Sequence, residues 1–221
     1  KGMPTDFFSD APFEREDESD DRHFYQNPRM VNHIDEQAME HIQHVYGARL
    51  EPGMRVLDLM SSWNSHLPDS IMPLSVIGLG MNDEEMKRNP RLISTVVRDI
   101  NKNPLLPFED GSFDAVICTV SVEYMTRPFE VFTECARVLR PGGVFINTFS
   151  TRWFPPKVIR IWKVLHEFER MGLVLEYYLP SSAFTDIETI SFRGWPRPEN
   201  DAYYPRVRES DPMYAVIGKV K

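Results

Sequence analysis

The sequence predicts an α/β protein whose seven-stranded sheet is mostly parallel, carries helices on both faces and ends in an antiparallel strand. Apolar segments of strand length alternate with segments whose apolar residues follow helical spacing. This alternation is the pattern of a parallel sheet, and right-handed crossovers place the helices on both of its faces. The last two apolar segments have no helix between them, so we expect an antiparallel pair at one edge.

The first half of the chain accounts for three of these strands. Residues 24–46 place apolar side chains at mostly helical spacing, which predicts a first helix. A Glu-Pro-Gly turn at 51–53 precedes the apolar run RVLDLM, which predicts the first strand. The runs SVIGLG and STVVRDI predict the second and third strands, and the acidic run that follows Asn82 starts a helix between them.

The second half adds four strands and two helices. The run FDAVICTVSV is apolar enough for the middle of a sheet. The next helix has Pro128 in its first turn and is stopped by the Arg-Pro-Gly-Gly sequence at 140–143. VFINTFS predicts the fifth strand, and residues 155–179 predict a helix with a break near Gly172. DIETISF and MYAVIGKV complete a Rossmann-like sheet.

Charge and hydropathy exclude some classes of partner. The net charge of −8 argues against binding to nucleic acid or to an anionic membrane, because phosphate contacts need clustered Lys and Arg. No apolar run approaches the ~20 residues that a membrane-spanning helix needs. The acidic, weakly apolar residues 1–22 predict a mobile arm, and residues 23–221 a single domain.

The two cysteines bear on the cellular compartment. Cys118 and Cys135 fall on a predicted core strand and a predicted helix, and neither forms a metal-ligand pattern with nearby histidines. Buried reduced thiols are the expected state. They suit the cytoplasm or another reducing compartment, which includes an organelle if a targeting segment has been removed.

The turn after the first strand is the unusual feature of the sequence. In a nucleotide-binding α/β domain this turn is glycine-rich, because the backbone approaches the cofactor closely. Here the turn reads MSSWNSHLP and contains no glycine. The G-x-G-x-x-G pattern and the acid at the end of the second strand are both missing, which argues against a dinucleotide-dependent oxidoreductase.

The run LPFEDGSFDAVICTVSVEYMTRPFEVFTECARVLRPGGVFI, residues 106–146, resembles class I S-adenosylmethionine-dependent methyltransferases with a Type 11-like core. The resemblance extends over residues 55–150, and over the C-terminal hairpin by topology. It implies S-adenosylmethionine as cofactor, a small-molecule acceptor and no metal. Most of these residues form turns and core, so the resemblance is specific for the fold rather than for the activity.

The resemblance also implies which residues meet the cofactor. Asp58 matches the acidic residue of the first motif, and the motif's three glycines are replaced by Met60, Ser62 and Asn64. Gly80 stands where the family has an acid for the ribose, and Asp99 matches the residue that holds the adenine amino group. The expected cofactor-binding residues are Asp58, Met60, Ser61, Ser62, Asn64, Gly80, Met81, Asn82, Asp99 and Ile100.

Small polar residues offer replacements for the lost motif. The hydroxyls of Ser61 and Ser62 can donate to the cofactor's carboxylate while their backbone N–H groups face it. Asn82 or Asp83 could reach the ribose from one turn later. An acid restored at Gly80 is expected to tighten binding where the local backbone allows it.

Three residues are weak catalytic candidates, each with a structural alternative. His66 lies in the rebuilt turn as a general base or as a packed histidine. Glu123 and Tyr124 follow the fourth strand, either beside the acceptor or as solvent-facing residues at a helix entry. The aromatic cluster after the fifth strand is either core or a wall of the acceptor pocket; it comprises Trp153, Phe154, Trp162, Tyr177 and Tyr178.

Two functions from different classes remain open on the sequence. One is methyl transfer from S-adenosylmethionine to a small molecule. The other is a methyltransferase-like domain without catalysis that serves as a binding or assembly module. The degenerate turn and Gly80 favour the second, whereas Asp58, Asp99 and the polar run at 61–64 favour the first.

Overall fold

The computed structural model describes residues 11–71 and 75–221 and confirms the expected sheet. Its strands are β1 (Arg55–Leu59), β2 (Ser75–Gly80), β3 (Ser94–Val97), β4 (Phe113–Thr119), β5 (Leu139–Ser150), β6 (Phe184–Phe192) and β7 (Met213–Val220). They lie in the order β3-β2-β1-β4-β5-β7-β6. β1 to β5 are parallel, and β7 runs antiparallel to both β5 and β6.

The helices are α1 (Asp21–Tyr25), α2 (Glu36–Gly47), α3 (Asp83–Lys87), α4 (Pro128–Val138), α5 (Arg160–Val164) and α6 (Glu167–Tyr178). Short 3₁₀ turns occupy Ala11–Phe13 and Val122–Tyr124. α4 and α6 cover one face of the sheet through an apolar cluster that includes Phe132, Phe145 and Tyr178. α2 covers the other face through Ile42 and Tyr46. None of the helices in the described ranges is long and apolar enough to cross a bilayer.

The strand order reverses between β1 and β4, and this position defines where a ligand can enter. β1 is followed in space by β2 and β3 on one side and by β4 and β5 on the other. In open α/β sheets the crevice at the carboxyl ends of such strands is the usual binding position. The turn after β1 and the loops after β2, β3 and β4 therefore meet at one edge.

The expectation of a mobile arm is wrong for residues 11–21, while residues 1–10 lie outside the described residues. Phe13 is buried in the core against Phe129. The Lys157 ammonium is fully buried and pairs with Asp17 and Asp21, each at 3.0 Å. Composition suggested a solvated segment, but cations distant in sequence neutralise its acids and hold it against the domain.

Two helix predictions also need correction. Residues 26–35 are irregular, and α2 begins only after Asp35, whose carboxylate caps it by accepting from Ala38 N at 2.9 Å. The break predicted near Gly172 falls instead between α5 and α6, around Leu165 and His166. α6 runs through Gly172, where the position of a Cβ atom is open.

The loop between β6 and β7 is fastened to the start of α2 by a buried arginine. The Arg197 side chain is almost inaccessible and pairs with Asp35, Asp201 and Asp211 at 2.7–3.1 Å. Asp211 N also donates to the Asp35 carboxylate at 2.7 Å. Because residues 29–34 directly precede this anchor, the network fixes one wall of the crevice described below.

Candidate functional site

A pocket lies at the carboxyl ends of β1 to β4. All ten expected cofactor-binding residues line it, and they come from three separate stretches of the sequence, 58–64, 80–82 and 99–100. His66 and Tyr124 line it as well, but Glu123 does not. The structure thus brings together every expected cofactor residue and two of the three catalytic candidates.

The turn after β1 is built around Asp58. Its carboxylate is buried and accepts hydrogen bonds from the hydroxyls of Ser61 at 2.7 Å and Ser65 at 2.6 Å. Burial raises the pKa of Asp58 to about 6, an effect that the two hydroxyl donors only partly offset. The two serines therefore stabilise the charged form of a carboxylate that the fold has largely removed from water.

The serine hydroxyls of this turn donate to carboxylates of the protein. The Ser62 hydroxyl donates to the Glu85 carboxylate at 2.6 Å, and the Ser61 hydroxyl donates to Asp58. This differs from the expectation that both would point at a cofactor. The backbone N–H groups of Ser62, Trp63 and Asn64, however, donate to no acceptor in the described part of the chain. Consecutive free backbone donors of this kind are the groups from which anion-binding concavities are built.

Gly80 is explained by packing. Ser61 N donates to Leu79 O at 2.9 Å, which presses the turn against the end of β2. A Cβ atom at residue 80 would lie 2.2 Å from the Ser61 carbonyl oxygen. The expectation that an acid at Gly80 tightens binding depends on the local backbone, and the structure does not meet that condition, because no side chain fits there without moving the turn.

The carboxylate next to this position belongs to Glu85, which the sequence analysis did not select. It accepts from Ser62 Oγ and, at 2.7 Å, from Arg29 N. Asn82 also lines the pocket, but its amide oxygen caps α3 and its amide nitrogen donates to Tyr25 O. Asp83 lies outside the pocket lining.

Asp99 has one oxygen engaged and one available. Its Oδ1 accepts from Asn101 N at 3.0 Å and Lys102 N at 3.2 Å, which shapes the loop after β3. Oδ2 has no hydrogen-bond partner in the described part of the chain and can accept from a ligand. Met81 and Ile100 supply apolar surface in the same pocket.

Backbone strain is concentrated around the pocket. Among the described non-glycine residues, five have positive φ, and three of these line the pocket: Met60 at 59°, His66 at 54° and Val120 at 46°. A β-branched residue such as Val120 in this region is a marked outlier. Strain of this kind persists where the surrounding structure requires it, most often at binding sites.

The three catalytic candidates have different surroundings. His66 Nδ1 is buried without a partner, and burial together with the nearby His33 lowers the pKa of His66 to about 4. The Tyr124 hydroxyl accepts from Phe154 N at 2.8 Å. Glu123 is fully buried away from the pocket, so neither Glu123 nor Tyr124 is the solvent-facing residue that the alternative described.

The aromatic cluster divides between core and pocket. Trp162, Tyr177 and Tyr178 are fully buried in the core. Phe154 lines the pocket, where its ring contacts Tyr124 with centroids 5.9 Å apart. The core alternative therefore holds for these three residues, and Phe154 alone of the cluster lines the pocket.

The segment between α1 and α2 forms a pocket wall that sequence reasoning missed. It contributes Arg29, Val31, Asn32, His33 and Ile34, and Tyr25 at the end of α1 also lines the pocket. The Trp63 indole N–H donates to Val31 O at 3.2 Å, and Asn82 donates to Tyr25 O at 2.8 Å. The only local signal was Pro28, which disfavours a continuous helix.

Comparison with known proteins agrees with this geometry. The family model described as a methyltransferase domain matches residues 70–147. A demethylmenaquinone methyltransferase of Beutenbergia cavernae is 36% identical over 116 residues, 49% of this chain and 46% of that protein. Squalene methyltransferase 1 of Botryococcus braunii is 28% identical over 154 residues, 65% of this chain and 41% of that protein. The chain spans less than half the length of either relative.

Solved structures share the fold at low sequence identity. The protein solved in complex with the Trm112 methyltransferase activator of Haloferax volcanii has a TM-score of 0.62 at 18% identity, covering 83% of this chain and 90% of that chain. Phosphoethanolamine N-methyltransferase 2 of Haemonchus contortus, solved with S-adenosylhomocysteine, has a TM-score of 0.55 at 15% identity. The match covers 84% of this chain and 52% of that chain. The matching sequence core and the shared sheet topology support the class I S-adenosylmethionine-dependent methyltransferase family over the part of the chain that matches.

Proposed function

We propose that this protein binds S-adenosylmethionine and transfers its methyl group to a small-molecule acceptor. The observation that carries the proposal is the convergence of all ten expected cofactor residues on one pocket at the carboxyl edge of the sheet. They are separated by up to 42 positions in sequence, from Asp58 to Ile100. A shared pocket with strained backbone and free donors is what a ligand site requires.

Hydrogen-bonding groups of the pocket are complementary to both ends of the cofactor. The free N–H groups of Ser62, Trp63 and Asn64 suit the carboxylate of the cofactor's amino acid end. Asp99 Oδ2 suits the adenine amino group, and Met81 offers an apolar surface for the base.

For the ribose hydroxyls, Glu85 is the carboxylate beside the closed position at Gly80. Each of its oxygens accepts one hydrogen bond from the protein and retains a second lone pair. We therefore assign the ribose contact to Glu85 in place of Asn82 or Asp83.

When bound, S-adenosylmethionine supplies an electrophilic methyl group on a sulfonium. The chain's part is to hold the acceptor atom in line with that methyl, since positioning alone lowers barriers by about 7–11 kcal/mol in well-oriented systems. His66 is neutral above about pH 4, so its buried Nδ1 can accept a hydrogen bond from an acceptor hydroxyl. Tyr124 and Phe154 form the adjacent wall.

A catalytically inactive binding or assembly module is the second candidate. The observation that favours it is the self-satisfied turn, in which Ser61 and Ser62 donate to Asp58 and Glu85. The turn also closes the space beside Gly80. On this alternative the pocket is retained by the fold and has no affinity for the cofactor.

Isothermal calorimetry with S-adenosylmethionine and S-adenosylhomocysteine separates the two candidates. Under the first, both ligands bind, and Asp99→Ala weakens binding about tenfold to a hundredfold, the value of one buried hydrogen bond. Ser62→Leu abolishes binding by filling the pocket, while Glu176→Ala, an exposed carboxylate on α6, changes nothing. A folded parent protein that ignores both ligands at millimolar concentration decides for the inactive module.

A further inference from the structure

We infer that the acceptor is an aromatic acid and that Arg29 is the residue that selects it. This inference rests on the proposed function, because it names the substrate class of the same pocket. Its evidence is the group of side chains around Phe154, on the wall formed by residues 25–34. These side chains come from the N-terminal segment, the turn after β1, the loop after β4 and, for Phe154, the segment after β5.

Phe154 is the centre of this subsite. The His33 ring meets it edge-on at 4.9 Å, and Tyr124 stacks on it at 5.9 Å. Phe24 contacts its ring at 5.5 Å. All but Phe24 line the pocket. Aromatic faces and edges in this arrangement favour a planar aromatic ligand, which stacks offset or edge-to-face on them.

Arg29 supplies a positive charge that no protein carboxylate neutralises directly. Its guanidinium lies over the Phe24 ring at 4.5 Å and over the Phe154 ring at 5.2 Å. Nη2 donates to Phe24 O at 3.0 Å, and the described part of the chain offers the guanidinium no ion pair. The Glu85 carboxylate contacts Arg29 through its backbone N–H. A guanidinium held flat by rings keeps its other N–H donors available, and a carboxylate is their natural partner.

Arg15 shows the contrast within the same N-terminal segment. Its guanidinium pairs with Asp21 at 2.8 Å, so its charge is already used by the fold. The charge of Arg29 is instead presented to the pocket. The two pocket histidines add no further charge at neutral pH, because burial lowers the pKa of both His33 and His66. The subsite therefore combines aromatic walls, one available cation and the buried, unpartnered Nδ1 of His66.

The test compares two probes of equal shape, 4-hydroxybenzoate and its neutral amide, 4-hydroxybenzamide. Binding is followed by ligand-observed NMR titration, first with the protein alone and then with S-adenosylhomocysteine at saturation. We expect the anion to bind about tenfold tighter than the amide, since charge-assisted hydrogen bonds exceed neutral ones by about that factor. The preference should disappear in Arg29→Gln and persist in Arg29→Lys.

Arg208→Gln is the matched control. Arg208 also lies over an aromatic ring, that of Tyr204 at 4.2 Å, but it does not line the pocket. Equal binding of anion and amide, a preference that survives Arg29→Gln, or no binding of either probe at 10 mM (about ten-thousandfold weaker than a micromolar ligand) overturns the inference. The comparison of the two probes on the parent protein is already a test of the inference, so the inference can be tested even if a variant folds poorly.

Binding of S-adenosylhomocysteine distinguishes failure of the proposed function from failure of the aromatic-acid inference. If S-adenosylhomocysteine binds and the anion preference is missing, the methyltransferase assignment stands and the aromatic-acid inference falls. If S-adenosylhomocysteine does not bind, the proposed function fails, whatever the probes show.

Discussion

The buried carboxyl group of Glu123 should make the protein's stability fall steeply with rising pH, and Glu123→Gln should remove this loss. Glu123 lies in the 3₁₀ turn after β4, fully buried. Neither carboxyl oxygen has a hydrogen-bond partner from another residue in the described ranges. Burial raises the pKa of Glu123 to about 8, and its own backbone N–H and the charge of Arg170 offset this only in part.

The sign and size follow from linkage. Between pH 4.5 and about pH 8 the unfolded chain has lost the proton of Glu123 while the folded chain retains it. The free energy of unfolding therefore falls as pH rises, by about 1.4 kcal/mol per pH unit. Across the whole window this amounts to about 5 kcal/mol, a large part of the stability of an ordinary domain. The uncharged amide of Glu123→Gln has no proton to lose.

Urea denaturation at a series of pH values between 5 and 8.5 measures the effect. Parent and variant should be nearly equal in stability at the acidic end, and the variant should be more stable by several kcal/mol at pH 8. Glu176→Gln, an exposed change on α6, should follow the parent throughout. A difference between parent and Glu123→Gln that stays constant with pH would show that Glu123 is not a buried, protonated group.

Three further predictions test other parts of the site. The free energy of unfolding of Asp58→Asn, relative to that of the parent, should rise by up to about 3 kcal/mol between pH 4 and pH 6, because burial raises the pKa of Asp58 to about 6. The same pH dependence of stability in variant and parent would contradict this. Gly80→Ala should lower the melting temperature by several degrees, since its Cβ would meet a carbonyl oxygen at 2.2 Å, whereas Gly172→Ala should raise it slightly. Lys157→Met should destabilise the protein by about 3–5 kcal/mol, because it leaves Asp21 without one of its buried partners. Unchanged protease resistance of the N-terminal segment in this variant would contradict its attachment to the domain through Lys157.

Local patterns were sufficient to predict the sheet. Apolar runs of strand length, the Pro and Gly signals around α4, and two final strands without a helix between them together specify the topology. Each of these patterns lies within a short stretch of the sequence and does not depend on contacts between distant residues. The candidate cofactor residues were also identifiable, because they follow the ends of successive parallel strands, and such ends converge at one edge.

Long-range charge compensation was not predictable from composition. The acids of residues 14–21 read as a solvated arm, but their partners Lys157, Arg160 and Lys163 lie about 140 residues further along the chain. Local sequence gives no sign of such pairing. The same limit explains Glu85, which looks like an ordinary acid in the first turn of a helix. Only the folded chain shows that it also holds Ser62 and the backbone of Arg29.

The path of the turn after β1 explains why residue 80 is glycine, where the family resemblance implies an acid. Ser61 N bonds to Leu79 O, so the turn after β1 runs against the end of β2. Glycine is then required at residue 80 because the Ser61 carbonyl oxygen fills the space of a side chain. The clash involves the backbone of Ser61, so replacing that serine cannot relieve it. An acid at residue 80 requires a different path for the whole turn, and under the proposed function Glu85 on the next element makes the ribose contact instead.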